Sequence, residues 1–310
     1  MQSTVQPLPS IAALPSLLAA GDLLLLDLDE TLIKPEFDDA SEPWFNAFLA
    51  SLAENGVEGT NGFFAGIELW QALQAVCDVH PAEGEATCTA LAAAAATPGV
   101  VCVGLTARGP EMSAETVGQL RHCELFEGVF DTERSLKVLS PSAEGDLVAP
   151  LTHLEGIVYC SGPRKPQGLN AFFDKSGCVP QRVVFVDDRE SHVRAVCAAM
   201  QEKQLPYLGL HYTPGAATSA AKCSLPRGWK LLAAILARER GGRDRLRRML
   251  ALLDGEPVAA ARSARRDGAS SQRWFACSSM AMASAAIVCI AFGAGVALGA
   301  RCRPTSAGRS

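Results

Sequence analysis

Residues 23–33 read LLLLDLDETLI, and the four consecutive leucines, Leu23 to Leu26, restrict the fold more than any other stretch. A run with no apolar/polar alternation needs cover on both faces, as in a central strand of a parallel sheet. It ends in acids. On extended backbone the i, i+2 pair Asp27 and Asp29 projects to one side, where two carboxylates repel unless a cation or a shared proton relieves them. A plain structural role competes, since Asp at a strand end often caps a turn, and Asp29 or Thr31 would suit a helix beginning near Leu32.

The rest of the chain repeats the theme. GVVCVGLTARG and RVVFVDD are two further apolar runs that finish on polar residues, Thr106 in one and Asp187 with Asp188 in the other. GIVYC is a short strand, and LPYLGLHY is read as the last. Between them lie helical patterns: MSAETVGQLRHC with Ser113 as a cap, KPQGLNAFFDKSG opened by Lys165 and Pro166 and closed by Gly177, and ESHVRAVCAAMQEK. Strands alternating with helices predict an α/β fold with a doubly wound parallel sheet, whose ligands bind at the carboxyl ends of the strands. Asp27, Asp29, Thr106, Asp187 and Asp188 each terminate or just follow a strand and Lys165 opens a helix, so they can converge on one crevice.

About 60 residues separate the first strand from the next, from Pro35 to Ala96, with helical spacing in EPWFNAFLASLAENG and FFAGIELWQALQAVCDV and an Ala-rich helix ended by Pro98 and Gly99. Residues 1–22 lack a basic leader and are broken by Pro7, Pro9 and Pro15, so they do not read as a secretory signal, and their apolar residues are expected to form a short helix on the sheet. Eleven cysteines, scattered singly with no CxxC pair, argue for a reducing compartment and against a disulfide framework or zinc site.

The residue types suit phosphoryl transfer. Asp27, on the end of a rigid strand, can attack phosphorus and carry an aspartyl phosphate. Asp29 can protonate the leaving oxygen and then take a proton from water. Mg²⁺ held by carboxylates such as Asp187 and Asp188 would offset the collected negative charge. Thr106 offers a hydroxyl to a phosphate oxygen and Lys165 a point charge. Among the five histidines none joins these motifs, and His192 is read as solvent-facing.

In this order, DLDET, LTAR, Lys165 and VFVDDRES resemble the four motifs of the haloacid dehalogenase-like hydrolase superfamily. Trp44 and Phe45, GLTARGPEMSAETVGQL, GIVYCSGPRKPQGLNAFF, RVVFVDDRESHVRAV and LHYT are similar to an uncharacterised hydrolase family of unknown function within it. The likeness covers roughly residues 10–215, with Pro166 standing where glycine usually follows the motif lysine. It implies a Rossmann-like core with a helical cap at about 35–96, a catalytic set of Asp27, Asp29, Thr106 and Lys165, and Mg²⁺ on Asp27, Asp29, Asp187 and Asp188. An acid at position 29 marks the phosphate-transferring members, and a cap inserted after the first motif favours a small phosphorylated metabolite as substrate. A phosphoprotein phosphatase and a non-catalytic binding module of the same fold are the alternatives.

The rear of the chain differs. Residues 1–215 hold 12 Lys and Arg against 28 Asp and Glu, whereas residues 216–310 hold 16 against 5. Residues 216–273 read as a basic helical linker suited to an anionic membrane surface or to solvent. Residues 274–300 carry no charge across 27 positions and as a helix would reach about 40 Å, enough to span a bilayer. A buried Ala-rich segment is the alternative. A C-terminal transmembrane anchor, followed by the basic tail 301–310, would leave the catalytic domain facing the cytosol. Gly295 and Gly299 lie four apart on it, a spacing that allows a homodimer through the tail. Nucleic-acid binding is disfavoured by the acidic body.

Overall fold

In the computed structural model, which describes residues 3–216 apart from 37–40, 55–58, 75–76, 133–136 and 142–148, the leucine run is β2, Asp22–Leu26, buried at every position. It lies between β5, Val101–Thr106, and β9, Arg182–Asp187, with Leu24 opposite Cys102 on one side and Val184 on the other. Both faces of β2 are covered. Leu24 and Leu26 pack with Leu91, Leu120 and Phe126, while Leu23 and Leu25 pack with Leu169, Phe172, Val193 and Met200. Burying each leucine side chain contributes about 1.5–3 kcal/mol, which is why an unbroken apolar run settles at the centre of the sheet.

The remaining strands are β1, Ser3–Leu8; β6, Lys137–Ser140; β7, Leu151–Leu154; β8, Ile157–Tyr159; and β10, Tyr207–Tyr212. The eight-stranded order is β1-β10-β9-β2-β5-β8-β7-β6, parallel from β1 to β8 and antiparallel where β7 joins β8 and β6 joins β7. Helices α3, Glu85–Ala95, and α4, Ser113–His122, supply buried residues to the cluster on one face. On the other face lie α5, Lys165–Ser176, and α6, Glu190–Glu202. This is a mixed α/β architecture with a mostly parallel central sheet.

Some local expectations are corrected. The N-terminus is not only a short helix: Ser3–Leu8 adds a strand beside β10, and a 3-10 helix over Ile11–Leu17 then buries Ile11 and Leu14. Pro7 is tolerated because β1 is an edge strand and has one side free of ladder bonds. No helix begins near Leu32. Beyond Asp27 the chain curls around the Leu28 carbonyl, which accepts from the amides of Thr31, Leu32 and Ile33 at 3.3, 2.9 and 3.0 Å. Glu30 takes the left-handed conformation at φ 58° to close that turn. Ser113 does not cap α4 but is its first residue, behind a 3-10 turn at Pro110–Met112. Lys165 does open α5, and Gly177 ends it at φ 64°.

The insertion after β2 is divided. Strands β3, Ile33–Pro35, and β4, Val79–Pro81, pair antiparallel as a stem. Beyond them α1, Glu42–Glu54, packs on α2, Gly59–Gln74, through fully buried Trp44, Phe48 and Leu69. Helix α3 instead puts Ala90, Leu91 and Ala94 into the apolar cluster beneath the sheet. A last short helix, α7, Thr213–Ala216, follows β10. The basic linker, the apolar run 274–300 with Gly295 and Gly299, and the tail lie outside the described residues, and among the described residues no helix is long and apolar enough to cross a membrane.

Candidate active site

Strand β2 is the point where the chain reverses its direction of build: β5 and β8 lie to one side and β9 and β10 to the other. Crevices at such switch points, outside the strand carboxyl ends, are where open α/β sheets bind ligands. Asp27 follows β2 directly and donates its amide to Val186 O of β9 at 3.0 Å, so its backbone is fixed to the sheet. Asp187 ends β9, Asp188 comes next, and Lys165 reaches in from the first residue of α5.

These four side chains meet. Lys165 Nζ lies 2.5 Å from Asp27 Oδ1 and 2.6 Å from Asp187 Oδ2, with the lysine side chain 1% exposed. Carboxylate oxygens of Asp27, Asp187 and Asp188 all lie within 4.8 Å of one another, and all three residues are buried. Asp187 also accepts the Arg189 amide at 2.7 Å. The Thr31 hydroxyl, 3.4 Å from Asp27 Oδ2 and 3.5 Å from Asp188 Oδ1, accepts the Asp188 amide at 3.0 Å.

Three acids share one lysine, and their titration divides accordingly. Burial, aided by Asp187 and opposed by Lys165, pushes Asp27 up to about 6. Burial together with Asp27 and Asp187 pushes Asp188 up to about 9. Burial works the same way on Asp187, but Lys165 and His192 outweigh it and hold that carboxyl below its ordinary value. Asp27 and Asp187 touch the same amine and move in opposite directions: His192 adds to Lys165 at Asp187, whereas the charges of Asp187 and Asp29 add to burial at Asp27. Lys165 is raised: burial opposes its charge, and Asp187 and Asp27 together prevail. Without a further cation the cluster keeps a proton on Asp188 at neutral pH.

The other two expected residues meet Arg108. Thr106 ends β5, and its hydroxyl oxygen accepts the Arg108 amide at 3.1 Å. Asp29 is not brought into the three-carboxylate group: its oxygens lie 2.9 Å from Arg108 Nε and 2.7 Å from the Arg108 terminal nitrogen. The repulsion expected between Asp27 and Asp29 is thus relieved by two separate cations.

Three contributors were not anticipated. Arg108 sits two residues past Thr106 inside the LTAR stretch, Thr31 lies within the first acidic motif, and His192 was expected to face solvent. His192 instead places Nδ1 3.2 Å from Asp187 Oδ2 with its side chain 12% exposed. Its position within the first turn of α6, where side chains tilt back toward the helix start, was legible; the partner was not.

Sequence comparison places the whole constellation in one family, matched over residues 11–236 and described as protein of unknown function (DUF2608). The chain belongs to that family. A relative from Chlamydia pneumoniae, provisionally named an outer membrane protein, is 22% identical over 201 residues, 62% of this chain and 72% of its own length. A second, from Chlamydia trachomatis serovar D and similarly named, is 30% identical over 59 residues, 19% of this chain and 23% of the relative. No solved structure matches. The family span includes every residue of the acid and lysine cluster.

Proposed function

We propose that this family member is a Mg²⁺-dependent phosphohydrolase of the haloacid dehalogenase-like kind, acting on a small phosphorylated metabolite through an aspartyl phosphate. The observation that carries the reading is the meeting of Asp27, Asp187, Asp188 and Lys165 at the carboxyl ends of β2 and β9. The acid cluster suits a hard divalent ion: three buried carboxylates supply oxygen donors, and their excess charge has one lysine to answer it. Asp27, Asp187 and Asp188 would hold the ion, and when bound it supplies positive charge against that of the phosphate.

The chain's own groups account for the two displacements. Asp27, kept ionised beside Lys165, attacks phosphorus, and the bond from phosphorus to the ester oxygen breaks. Asp29 enters this step protonated, taking that proton from solvent before the ester binds, and gives it to the departing oxygen. Water then attacks the phosphorus of the acyl phosphate, Asp29 takes the water's proton, and Asp27 returns as carboxylate while inorganic phosphate leaves. Thr106 would present its hydroxyl to a phosphate oxygen. Helices α1 and α2 on the β3–β4 stem form the cap, which limits substrate size and excludes water. Residues 274–300 tether the enzyme to a membrane, a reading supported by their lack of charge and by the membrane naming of the two chlamydial relatives.

The test is release of phosphate by purified full-length protein in detergent with Mg²⁺, across a panel of phosphorylated metabolites and phosphopeptides. Asp27→Asn should abolish turnover, and acid-quenched mass spectrometry of the unmodified enzyme should find phosphate on Asp27. Faster turnover of phosphopeptides would reassign the substrate class. Binding of the panel without any turnover would make the chain a binding module.

A further inference from the structure

Arg108 is the most heavily engaged side chain near the site, and nothing in the reaction outlined above uses it. A guanidinium has five N–H donors in a planar fork and no acceptor. In this structure all five are directed at acceptors. Nε faces Asp29 Oδ2 at 2.9 Å. One terminal nitrogen faces Asp29 Oδ1 at 2.7 Å and Gln74 Oε1 at 3.4 Å. The other faces Thr116 Oγ1 at 3.0 Å and Gln119 Oε1 at 2.7 Å. The Arg108 side chain is 0% exposed and Asp29 is 22% exposed, so the acid, not the guanidinium, is the group a substrate can reach. With every donor occupied, Arg108 has none left for a phosphate oxygen. Its charge is held on by Asp29, whose attraction overcomes the penalty of burial.

The acceptors come from two bodies. Asp29, Thr116 and Gln119 belong to the core, whereas Gln74 is on α2, and so is Trp70, whose ring centroid lies 5.7 Å from the guanidinium carbon. Gln119 Nε2 closes the circuit onto Gln74 O at 3.0 Å and Gln74 Oε1 at 3.2 Å. A separate contact, Gln71 Nε2 to Glu111 Oε1 at 2.6 Å, seats the same helix without touching Arg108.

We propose that Arg108 is a positioning residue that aims Asp29 and links that aim to the seating of α2 on the core. The inference rests on the reading of Asp29 as general acid and base. An acid held by a bidentate fork keeps one orientation, and displacement of Gln74 and Trp70 leaves the fork partly unsatisfied and the acid free to turn. By linkage, seating of α2 favours the Arg108–Asp29 pair by the same factor as the pair favours seating of α2.

Two measurements on the full-length protein decide it. The first follows hydrogen exchange of α2 amides without substrate in Asp29→Asn and Gln74→Ala. Loss of the pair should speed exchange in α2 by about tenfold, within the usual range of coupling between sites, and leave α5 and α6 unchanged. Unchanged α2 exchange in Asp29→Asn overturns the linkage, whether or not the protein is a phosphatase. The second follows turnover of aryl phosphates whose leaving groups differ in basicity. Arg108→Lys, which cannot form the fork, should lose about 100-fold in kcat on the poorest leaving group and little on the best, with KM unchanged, as expected when proton delivery fails. Gln74→Ala should show the same dependence in weaker form, and so should Gln71→Ala, which loosens α2 without touching Arg108. An equal loss across all leaving groups, or a loss confined to KM, overturns the positioning role. Absence of any turnover in the unmodified chain rejects the general-acid reading of Asp29 while the exchange result still stands.

Discussion

At the scale of single residues, the site is an electrostatic problem solved in two places, Lys165 for Asp27 and Asp187 and Arg108 for Asp29. Replacing Lys165 by methionine leaves buried acids without their cation, and removing one partner of a buried pair costs about 3–5 kcal/mol. Urea unfolding of Lys165→Met in chelator should show a loss of that size; a loss below about 1 kcal/mol would mean that the acids are neutralised some other way. Asp188 sets the pH behaviour. Its carboxyl stands at about 9 in the folded chain against an ordinary 3.8, so the metal-free folded state holds a proton that the unfolded state has lost across that window. Stability of the metal-free protein should therefore fall as pH rises from 3.8 toward 9, and Asp188→Asn should flatten the decline in thermal scans. On the proposed reading Mg²⁺ would have to displace the same proton, so its affinity should climb with pH up to about 9 and its binding should release protons in calorimetry. Affinity independent of pH would remove Asp188 from the metal set. Of these residues the acids were legible, because carboxylates at the ends of apolar strands stand out. Arg108 and His192 were not, because an arginine in a loop and a histidine on a helix are ordinary in sequence.

At the scale of elements, helix α7 presses its Gly215 against the site. A Cβ at that position would collide with the Glu30 carbonyl oxygen and the Asp188 Cβ, neither of which is a movable side-chain tip. Gly215→Ala should cost about 1–3 kcal/mol by forcing the Glu30 turn or Asp188 aside. It should also weaken Mg²⁺ binding more than a surface Gly177→Ala, whose Cβ would meet nothing within 4 Å. Equal metal affinity in the two variants would show that α7 does not brace the acids. The central strands β2, β5 and β9 were readable as apolar runs because burial on both faces leaves no room for alternation. Edge strands β1 and β6 and the short β7 beside β6 were not, since a short strand at the rim of a sheet is defined by the neighbour whose free backbone it pairs with, and prolines in SIAALPSLL and its surroundings pointed to breaks.

For the whole molecule, the acidic body and the basic, apolar rear separate chemistry from location. If the proposed anchor and activity hold, truncation after residue 273 should move the protein from the membrane fraction to the soluble one after lysis and leave phosphate release unchanged. Full-length protein found equally in the soluble fraction without carbonate or detergent would remove the anchor. The sequence by itself determined the alternation of strands and helices, the placing of Asp27, Asp187 and Asp188 at strand carboxyl ends and that of Lys165 at a helix start, because hydrophobic period and Gly/Pro punctuation are local properties of the chain. Which of those groups touch was decided only by the tertiary structure. Asp27 and Asp29 are two residues apart yet face different cations, while Asp27 and Lys165 are separated by 138 positions and lie 2.5 Å apart. Side-chain partners follow from how β2, α5 and β9 stack across the sheet, and that packing is a property of the whole chain rather than of any segment of it.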